Sequence, residues 1–187
     1  HGMFSGTGFF TKEGLPAIIY HGQGSGRNQI AISEDDQLEK WSTPVALEPK
    51  ILPGQDESLI AHWDPDAWID AGNYYAISGG SPGSGNPPTL FKSPDLKNWD
   101  YLGLFLTRDM PDVQADEDIS CPNFFKIGNQ HMLLCISHNK GCRYYLGQWK
   151  NEKFTPDFHA RMNWKGWDFF APESLLTRDG RRVMWAW

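Results

Sequence analysis

The sequence predicts an all-β fold of the β-propeller type, and a repeated proline step is the first reason. Segments that open on Asp64-Pro65, Cys121-Pro122 and Ala171-Pro172 each run into a tight polar turn and a second apolar stretch. Phe4-Ser5-Gly6 opens a similar unit, and the four openings follow one another at intervals of about 50 to 60 residues. A repeat of that length built from short strands is typical of propeller blades, which gather equivalent strands around one axis. Residues distant in the sequence are then expected to surround one central pocket.

The strand signals are short and frequent, which is the second reason. Six β-branched or aromatic runs lie between Gly, Asn and Asp turns, at 15–20, 29–33, 73–78, 131–137, 142–147 and 182–187. No window keeps the 3.6-residue period of an amphipathic helix for three turns. The pattern therefore favours an all-β chain.

A second repeat supports the blade interpretation. Residues 33–41 resemble residues 93–99, because both follow a strand with a Ser-led polar turn and then present Leu and Trp. We expect the two tryptophans, Trp41 and Trp99, to close the outer strand of each blade onto its neighbour. The alternative is that they stack on a sugar.

The repeats amount to roughly three and a half units, whereas propellers close with about four to eight blades. An open propeller would leave sheet edges exposed. Residues 1–187 are therefore predicted to form a single, partial propeller domain that belongs to a longer polypeptide.

Composition excludes several functional classes. The formal charge of −6 and the sequence pI near 5.4 argue against a nucleic-acid partner, because no basic patch is available to displace counterions. No apolar run approaches the ~20 residues that a membrane-spanning helix needs. The histidines lack zinc-ligand spacing, the three cysteines are expected to be buried thiols, and no cofactor or metal is predicted.

Asp64 is the first candidate functional residue. It stands between Trp63 and Pro65 at the opening of a predicted inner strand. A carboxylate held there can accept two hydrogen bonds from sugar hydroxyls, while aromatic rings cover the apolar faces of the sugar. The alternative is a solvated aspartate that only initiates a turn.

Four motifs in order resemble glycoside hydrolase family 32, which contains invertases, inulinases and levanases. The segment 4–7 resembles the family's Phe-Ser-Gly-Ser, and 62–65 stands where the family has Phe-Arg-Asp-Pro. Residues 120–123 stand where the family has Glu-Cys-Pro-Asp, and 168–174 with 180–187 resemble Asp-Phe-Tyr-Ala-Pro-Gln-Ser followed by Gly-Arg-Arg-Ile-Leu-Trp-Gly-Trp. The motifs span essentially the whole chain.

The resemblance implies a five-bladed propeller and a retaining hydrolase that acts on fructosyl or related furanosyl sugars. Asp64 would hold the fructosyl hydroxyls and stabilise the transition state. The substrate-binding candidates are Phe4, Ser5, Trp63, Ser120, Trp167, Asp168 and Glu173. The expected partners are a carbohydrate substrate and the remainder of the parent chain, with no nucleic acid and no membrane. By resemblance alone, a secreted or periplasmic location is expected.

The sequence departs from the family at three points. It contains no Asn-Asp-Pro, the motif that carries the family's nucleophile, which is expected outside these residues. Trp63 replaces an arginine, and Ser120 replaces the glutamate that acts as acid and base. A serine hydroxyl cannot supply a proton at useful pH, and loss of a general acid costs about 10²–10⁴ in rate.

Three carboxylates could replace that glutamate. Strand alternation places Asp118 on the same side as Ser120, although some 6–7 Å away along the strand, and turns Glu117 to the other side. The third candidate, Glu173, stands where the family has glutamine. A hydrolase is the leading functional hypothesis. The alternatives are a non-catalytic carbohydrate-binding propeller that has lost its acid, and a scaffold that binds proteins through its rims.

Overall fold

The computed structural model describes residues 2–80, 87–106, 110–163 and 168–187. These residues form fifteen strands in four sheets, and the only helical element among them is a 3₁₀ turn at Glu57–Leu59. None of the described helical segments has the length and apolarity to cross a membrane. The all-β prediction is confirmed.

The first sheet is an antiparallel meander in the order β1-β2-β3-β4. Its strands are β1 (Met3–Phe10), β2 (Pro16–Gly22), β3 (Arg27–Ile32) and β4 (Val45–Ala46). The turn between β1 and β2 contains Gly14 with φ of 81°, a left-handed conformation that suits glycine.

The second sheet has five strands in the order β5-β9-β8-β7-β6. They are β5 (Pro49–Lys50), β6 (Pro65–Asp70), β7 (Asn73–Ser78), β8 (Thr89–Ser93) and β9 (Trp99–Leu104). Strands β6 to β9 form an antiparallel meander, and the short β5 pairs in parallel with the outer strand β9.

The third sheet and a two-stranded fourth sheet complete the described chain. The third has the order β10-β11-β12-β13, with β10 (Ser120–Ile127), β11 (Gln130–Ser137), β12 (Gly141–Lys150) and β13 (Lys153–Arg161). The fourth pairs β14 (Glu173–Leu176) with β15 (Arg182–Trp185). Strands β1, β6, β10 and β14 each start within two residues of one of the openings predicted from the sequence.

The first strands of the three meanders and of the two-stranded sheet lie next to one another. Strand β6 contacts β1 on one side and β10 on the other, and β10 contacts β14. Polar side chains join these strands: the Thr7 hydroxyl donates to Asp66 at 2.8 Å, and the Ser174 hydroxyl donates to Asn123 at 2.6 Å. The opening residues of distant repeats therefore meet, as a propeller requires.

Two aromatic-rich cores hold neighbouring sheets together. The core between the first and second sheets includes Ile19, Leu47, Phe91, Trp99 and Tyr101, and the core between the second and third includes Ile77, Phe105, Leu133, Tyr145 and Phe154. Their burial supplies most of the favourable free energy that fixes the sheets face to face.

The second sequence repeat is also a structural repeat. Trp41 Nε1 donates to the Leu38 carbonyl at 2.9 Å, and Trp99 Nε1 donates to the Leu96 carbonyl at 3.2 Å. Leu38 and Leu96 share a left-handed backbone, with φ of 61° and 64°. Trp99 is 2% exposed and lies in the core, which fits the predicted closing role and leaves no face for a sugar.

Candidate active site

The residue before the proline has a left-handed backbone in all three proline steps. Asp64, Cys121 and Ala171 have φ of 28°, 43° and 47°. A residue before proline favours the extended region, and φ above zero is unfavourable for any residue with a Cβ. Strain of this kind is concentrated at functional sites.

The strain coincides with breaks in strand pairing. The register of β10 shifts between Ser120 and Asn123, and that of β1 shifts between Met3 and Gly6. Such bulges interrupt the alternation of side chains and redirect them locally. Gly6 is required here, because a Cβ at this position would lie 2.0 Å from the Ile19 carbonyl oxygen.

These breaks surround a cavity of about 470 Å³. It lies between the openings of β1 and β10 on one side and the fourth sheet on the other. The described residues that line it are Ser5, Gly6, Cys121, Ala171, Glu173, Trp185, Ala186 and Trp187.

Asp64 is held at this site by Cys121. The carboxylate is 4% exposed, and its Oδ2 accepts a hydrogen bond from the Cys121 backbone N–H at 3.1 Å and from the thiol at 3.5 Å. The Cys121 thiol also lies 3.8 Å from the Ser5 hydroxyl. Burial, followed by the charge of Asp64, raises the pKa of the thiol, so that it stays protonated and acts as a donor.

Asp66 lies two residues after Asp64, inside β6, and is also buried. Its Oδ2 accepts a hydrogen bond from the Phe124 N–H at 2.6 Å, and its Oδ1 accepts one from the Thr7 hydroxyl. Burial raises the pKa of Asp66 to about 6, against the opposing effect of these hydrogen bonds. Sequence reasoning did not select Asp66. The signal was a second acid two residues after Asp64, at the beginning of the same predicted strand.

Glu173 lines the cavity at the start of β14. Its side chain is half-buried. Burial, then the charges of Asp66 and Asp64, raise the pKa of Glu173 to about 9. A carboxyl group with this pKa is protonated at neutral pH.

An aromatic cluster stands beside the opening of β1. The ring of Trp63 lies 5.7 Å from that of Phe4 and 4.7 Å from that of His21, measured between centroids. Phe4 is 48% exposed, so one face of the cluster is available to a ligand. Trp63 therefore presents a ring where the family resemblance led us to expect an arginine.

Glu117 lies in a buried ion pair. Its Oε1 is 2.6 Å from Arg143 Nε, and the two side chains are 2% and 3% exposed. Its Oε2 also accepts from Arg143 at 3.1 Å and lies 3.5 Å from Arg161. Glu117 is not among the described residues that line the cavity.

Asp118 is likewise committed to other partners. It accepts hydrogen bonds from the Ser137 and Ser120 hydroxyls at 3.1 and 2.9 Å, and the Nδ1 of His138 lies 2.7 Å away. Burial alone raises the pKa of Asp118, but the hydrogen bonds from His138 and Ser120 outweigh it and leave the pKa below its usual value. Asp118 is therefore ionised at neutral pH.

The position expected to carry the acid does not face the cavity. Ser120 is fully buried and points to Asp118 and to the Gly80 carbonyl, whereas its neighbour Cys121 lines the cavity. Asp168 is exposed, and Trp167 lies outside the described residues. Of the predicted site residues, the structure brings Ser5 and Glu173 to the cavity wall, and Asp64 beside Cys121. The cavity tryptophans Trp185 and Trp187, 51% and 91% exposed, were predicted only as part of a strand.

The chain is similar to curated carbohydrate hydrolases along its whole length. It is 26% identical over 204 residues to a sucrose-6-phosphate hydrolase of Escherichia coli, covering 100% of this chain and 42% of that protein. It is 27% identical over 213 residues to a raffinose invertase of Escherichia coli, with 100% and 42% covered. The chain thus spans about two fifths of the length of these relatives.

Solved structures have the same fold. The sucrose-6-phosphate hydrolase from Lactobacillus gasseri superposes with a TM-score of 0.70 at 21% identity, covering 98% of this chain and 41% of that one. Fructan 1-exohydrolase IIa from Cichorium intybus, solved in complex with 1-kestose, gives 0.69 at 21% identity, with 98% and 39% covered. These likenesses confirm the propeller-type fold, while the count of five blades stays a prediction.

A match to a family model confirms the family resemblance. The family model described as the glycosyl hydrolases family 32 N-terminal domain matches residues 1–187. The chain therefore belongs to glycoside hydrolase family 32 and matches the model of its N-terminal domain.

Proposed function

We propose that the protein hydrolyses the glycosidic bond of fructosyl or related furanosyl sugars by a retaining mechanism at the cavity beside Asp64. The observation that carries the proposal is the position of this carboxylate. It is buried, it is fixed by the Cys121 N–H, and it lies at a strained step where three sheets meet. Family membership and the names of the relatives support a fructosyl substrate.

Asp64 has two tasks in this reaction. Its oxygens accept hydrogen bonds from the hydroxyls of the furanosyl ring and orient the ring. As the glycosidic bond breaks, positive charge develops on the ring, and a fixed carboxylate in a site of low dielectric constant stabilises that charge. Because the Cys121 N–H holds one oxygen in place, little reorganisation is needed when the charge appears.

The rings near the cavity supply the apolar contacts. Trp185 and Trp187 line it, and the cluster of Phe4 and Trp63 stands beside β1. Aromatic faces bind the C–H faces of sugars, so these rings would position the two sides of the scissile bond. Phe4, Ser5 and Trp63 keep their proposed role in substrate binding.

We further propose that the natural substrate carries no phosphate. Among the described residues that line the cavity there is no lysine or arginine, and three carboxyl groups lie at or beside it: Asp64, Asp66 and Glu173. Arg182 acts electrostatically on Asp66 but is not among the described residues that line the cavity, since its guanidinium lies 3.7 Å from the centre of the Phe125 ring and donates to Ser174.

The test is an assay of the complete natural protein on sucrose, raffinose, inulin and aryl fructofuranosides, paired with calorimetry. Release of fructose with retention at the anomeric carbon is the expected result. Sugar binding without turnover would instead support the non-catalytic carbohydrate-binding alternative, which the serine at position 120 favours. Absence of both would leave the scaffold hypothesis.

A further inference from the structure

A retaining glycosidase needs a proton donor within reach of the leaving-group oxygen. The serine at the position expected to hold it is buried, and the two nearest acids are engaged. Glu117 forms an ion pair with Arg143, and Asp118 accepts hydrogen bonds from several donors. Moving either acid into the cavity would leave a buried partner without its counterpart, at a cost of several kcal/mol for a charged one.

Glu173 differs from these two acids in its surroundings. It lines the cavity, and no described side chain donates a hydrogen bond to its carboxyl group. The charges that act on it are those of Asp66 and Asp64. The carboxyl group is therefore free to meet a ligand oxygen.

The same surroundings keep Glu173 protonated. Burial raises its pKa, the charges of Asp66 and Asp64 raise it further, and the result, about 9, lies above neutral pH. A general acid must carry its proton at the working pH.

We propose that Glu173 is the catalytic proton donor of this protein and replaces the glutamate that the family carries at position 120. This inference rests on the proposed function and adds the identity of the acid. The family motif has glutamine at position 173, and an amide cannot act as an acid. With serine at 120 and glutamate at 173, the carboxylic acid stands at the start of β14 instead of the start of β10.

Glu173 gives up its proton in the first half of the reaction and recovers one in the second. The glycosidic C–O bond breaks, its electron pair passes to the leaving oxygen, and that oxygen takes the Glu173 proton. The anomeric carbon bonds to a carboxylate nucleophile, which in the family is an aspartate. In the second half the Glu173 carboxylate removes a proton from water, the water oxygen displaces the enzyme carboxylate, and Glu173 is protonated again.

The decisive experiment compares Glu173→Gln with the wild type on two substrates in the complete protein. With sucrose, whose leaving group needs a proton, kcat/KM should fall about 10²–10⁴-fold. With 4-nitrophenyl fructofuranoside, whose leaving group needs none, kcat/KM should change less than about tenfold. Added azide should restore turnover of the aryl substrate by Glu173→Ala and yield a fructosyl azide, because azide attacks the enzyme-bound sugar without base assistance.

The controls keep the result interpretable. Glu39→Gln makes the same chemical change at an exposed position and should leave both rates unchanged. A thermal melt of Glu173→Gln confirms folding. Sucrose turnover that survives Glu173→Gln, or equal losses on both substrates, overturns this assignment alone. A wild type that cleaves neither substrate overturns the proposed function together with it.

Discussion

The backbone N–H of Cys121 donates to the carboxylate of Asp64 at 3.1 Å, across 57 positions of sequence. Both residues precede a proline, and both have a left-handed backbone. Two strained steps of neighbouring sheets thus support each other through one hydrogen bond. The strained backbone at these two residues fixes a carboxylate beside the cavity.

Replacing Asp64 by asparagine should remove the stabilising charge and keep the shape. We expect kcat/KM for sucrose to fall about 10²–10³-fold, the typical effect of losing one electrostatic partner of a transition state. Steady-state kinetics on the complete protein measures this loss. Asp36→Asn, an exposed matched change, should have no effect. Full turnover by Asp64→Asn would remove this residue from the mechanism.

Two glycines of β1 provide a matched test of the bulge beside the cavity. Gly6→Ala should destabilise the protein by about 1–3 kcal/mol, because the new Cβ would lie 2.0 Å from the Ile19 carbonyl oxygen and 2.5 Å from Tyr20 Cα. Gly8→Ala should be nearly neutral, since its nearest neighbour is the Ala17 carbonyl oxygen at 3.9 Å. Denaturant midpoints report the difference. Equal midpoints would mean that β1 and β2 can move apart at Gly6 without loss of stability.

The sequence predicted the fold better than the site because the two depend on different signals. Proline steps and alternating apolar residues are local, so the strands, the repeat and the position of Asp64 could be inferred. The orientation of residues 117–121 could not, because strand alternation was extrapolated through a bulge. Strand β10 begins only at Ser120, and the left-handed backbone of Cys121 changes which side chain meets the cavity.

Glu173 shows the second limit of sequence reasoning. Its pKa is raised first by burial and then by the charges of Asp66 and Asp64, which act on it because β6 and β14 both pack against β10. No spacing rule along the chain contains that contact. The sequence identified Glu173 as a candidate through its place in a motif, and the structure supplies the reason why it would hold a proton.

The Glu117–Arg143 pair offers a test that separates stability from catalysis. Glu117→Gln should cost about 3–5 kcal/mol of folding free energy, because it leaves the Arg143 charge buried without a counter-ion. The exposed pair Arg27–Glu48, with side chains 44% and 62% exposed, should lose about 0–1 kcal/mol in Glu48→Gln.

Catalysis gives the second readout for this pair. At temperatures where the Glu117→Gln protein is folded, kcat on sucrose should match that of the wild type. A large decrease of kcat in a fully folded Glu117→Gln protein would make Glu117 a candidate proton donor again.

The charge of the preferred substrate should distinguish this protein from the relatives that are named sucrose-6-phosphate hydrolases. A dianionic phosphate in a cavity beside Asp64 meets like charge, which costs several kcal/mol when it is not offset. We expect kcat/KM for sucrose to exceed that for sucrose 6-phosphate about tenfold or more, in parallel assays at one ionic strength. A preference for the phosphorylated sugar would show that a cation reaches the cavity from elsewhere in the protein.

The raised pKa of Glu173 also predicts how stability depends on pH, without reference to activity. A carboxyl group whose pKa is higher in the folded state binds its proton more tightly there, so its contribution is largest below the unfolded value of about 4.5 and is lost as the pH rises toward 9. Asp66, with a pKa of about 6, adds a loss of the same sign at lower pH, and Cys121 and Arg182 are the other ionisable groups nearby. Glu173→Gln removes the first contribution only.

The melting temperature of Glu173→Gln should therefore equal that of the wild type near pH 4.5 and exceed it by a margin that grows up to about pH 9. Thermal melts across this range measure the margin, and Glu39→Gln should show none. A margin that does not change with pH would mean that Glu173 titrates as an ordinary surface carboxylate, because only a shifted pKa links its proton to folding. We therefore expect Glu173→Gln to be more stable than the wild type at neutral pH and far less active. Such a trade-off is typical of active sites that bury an ionisable group in its unfavoured protonation state.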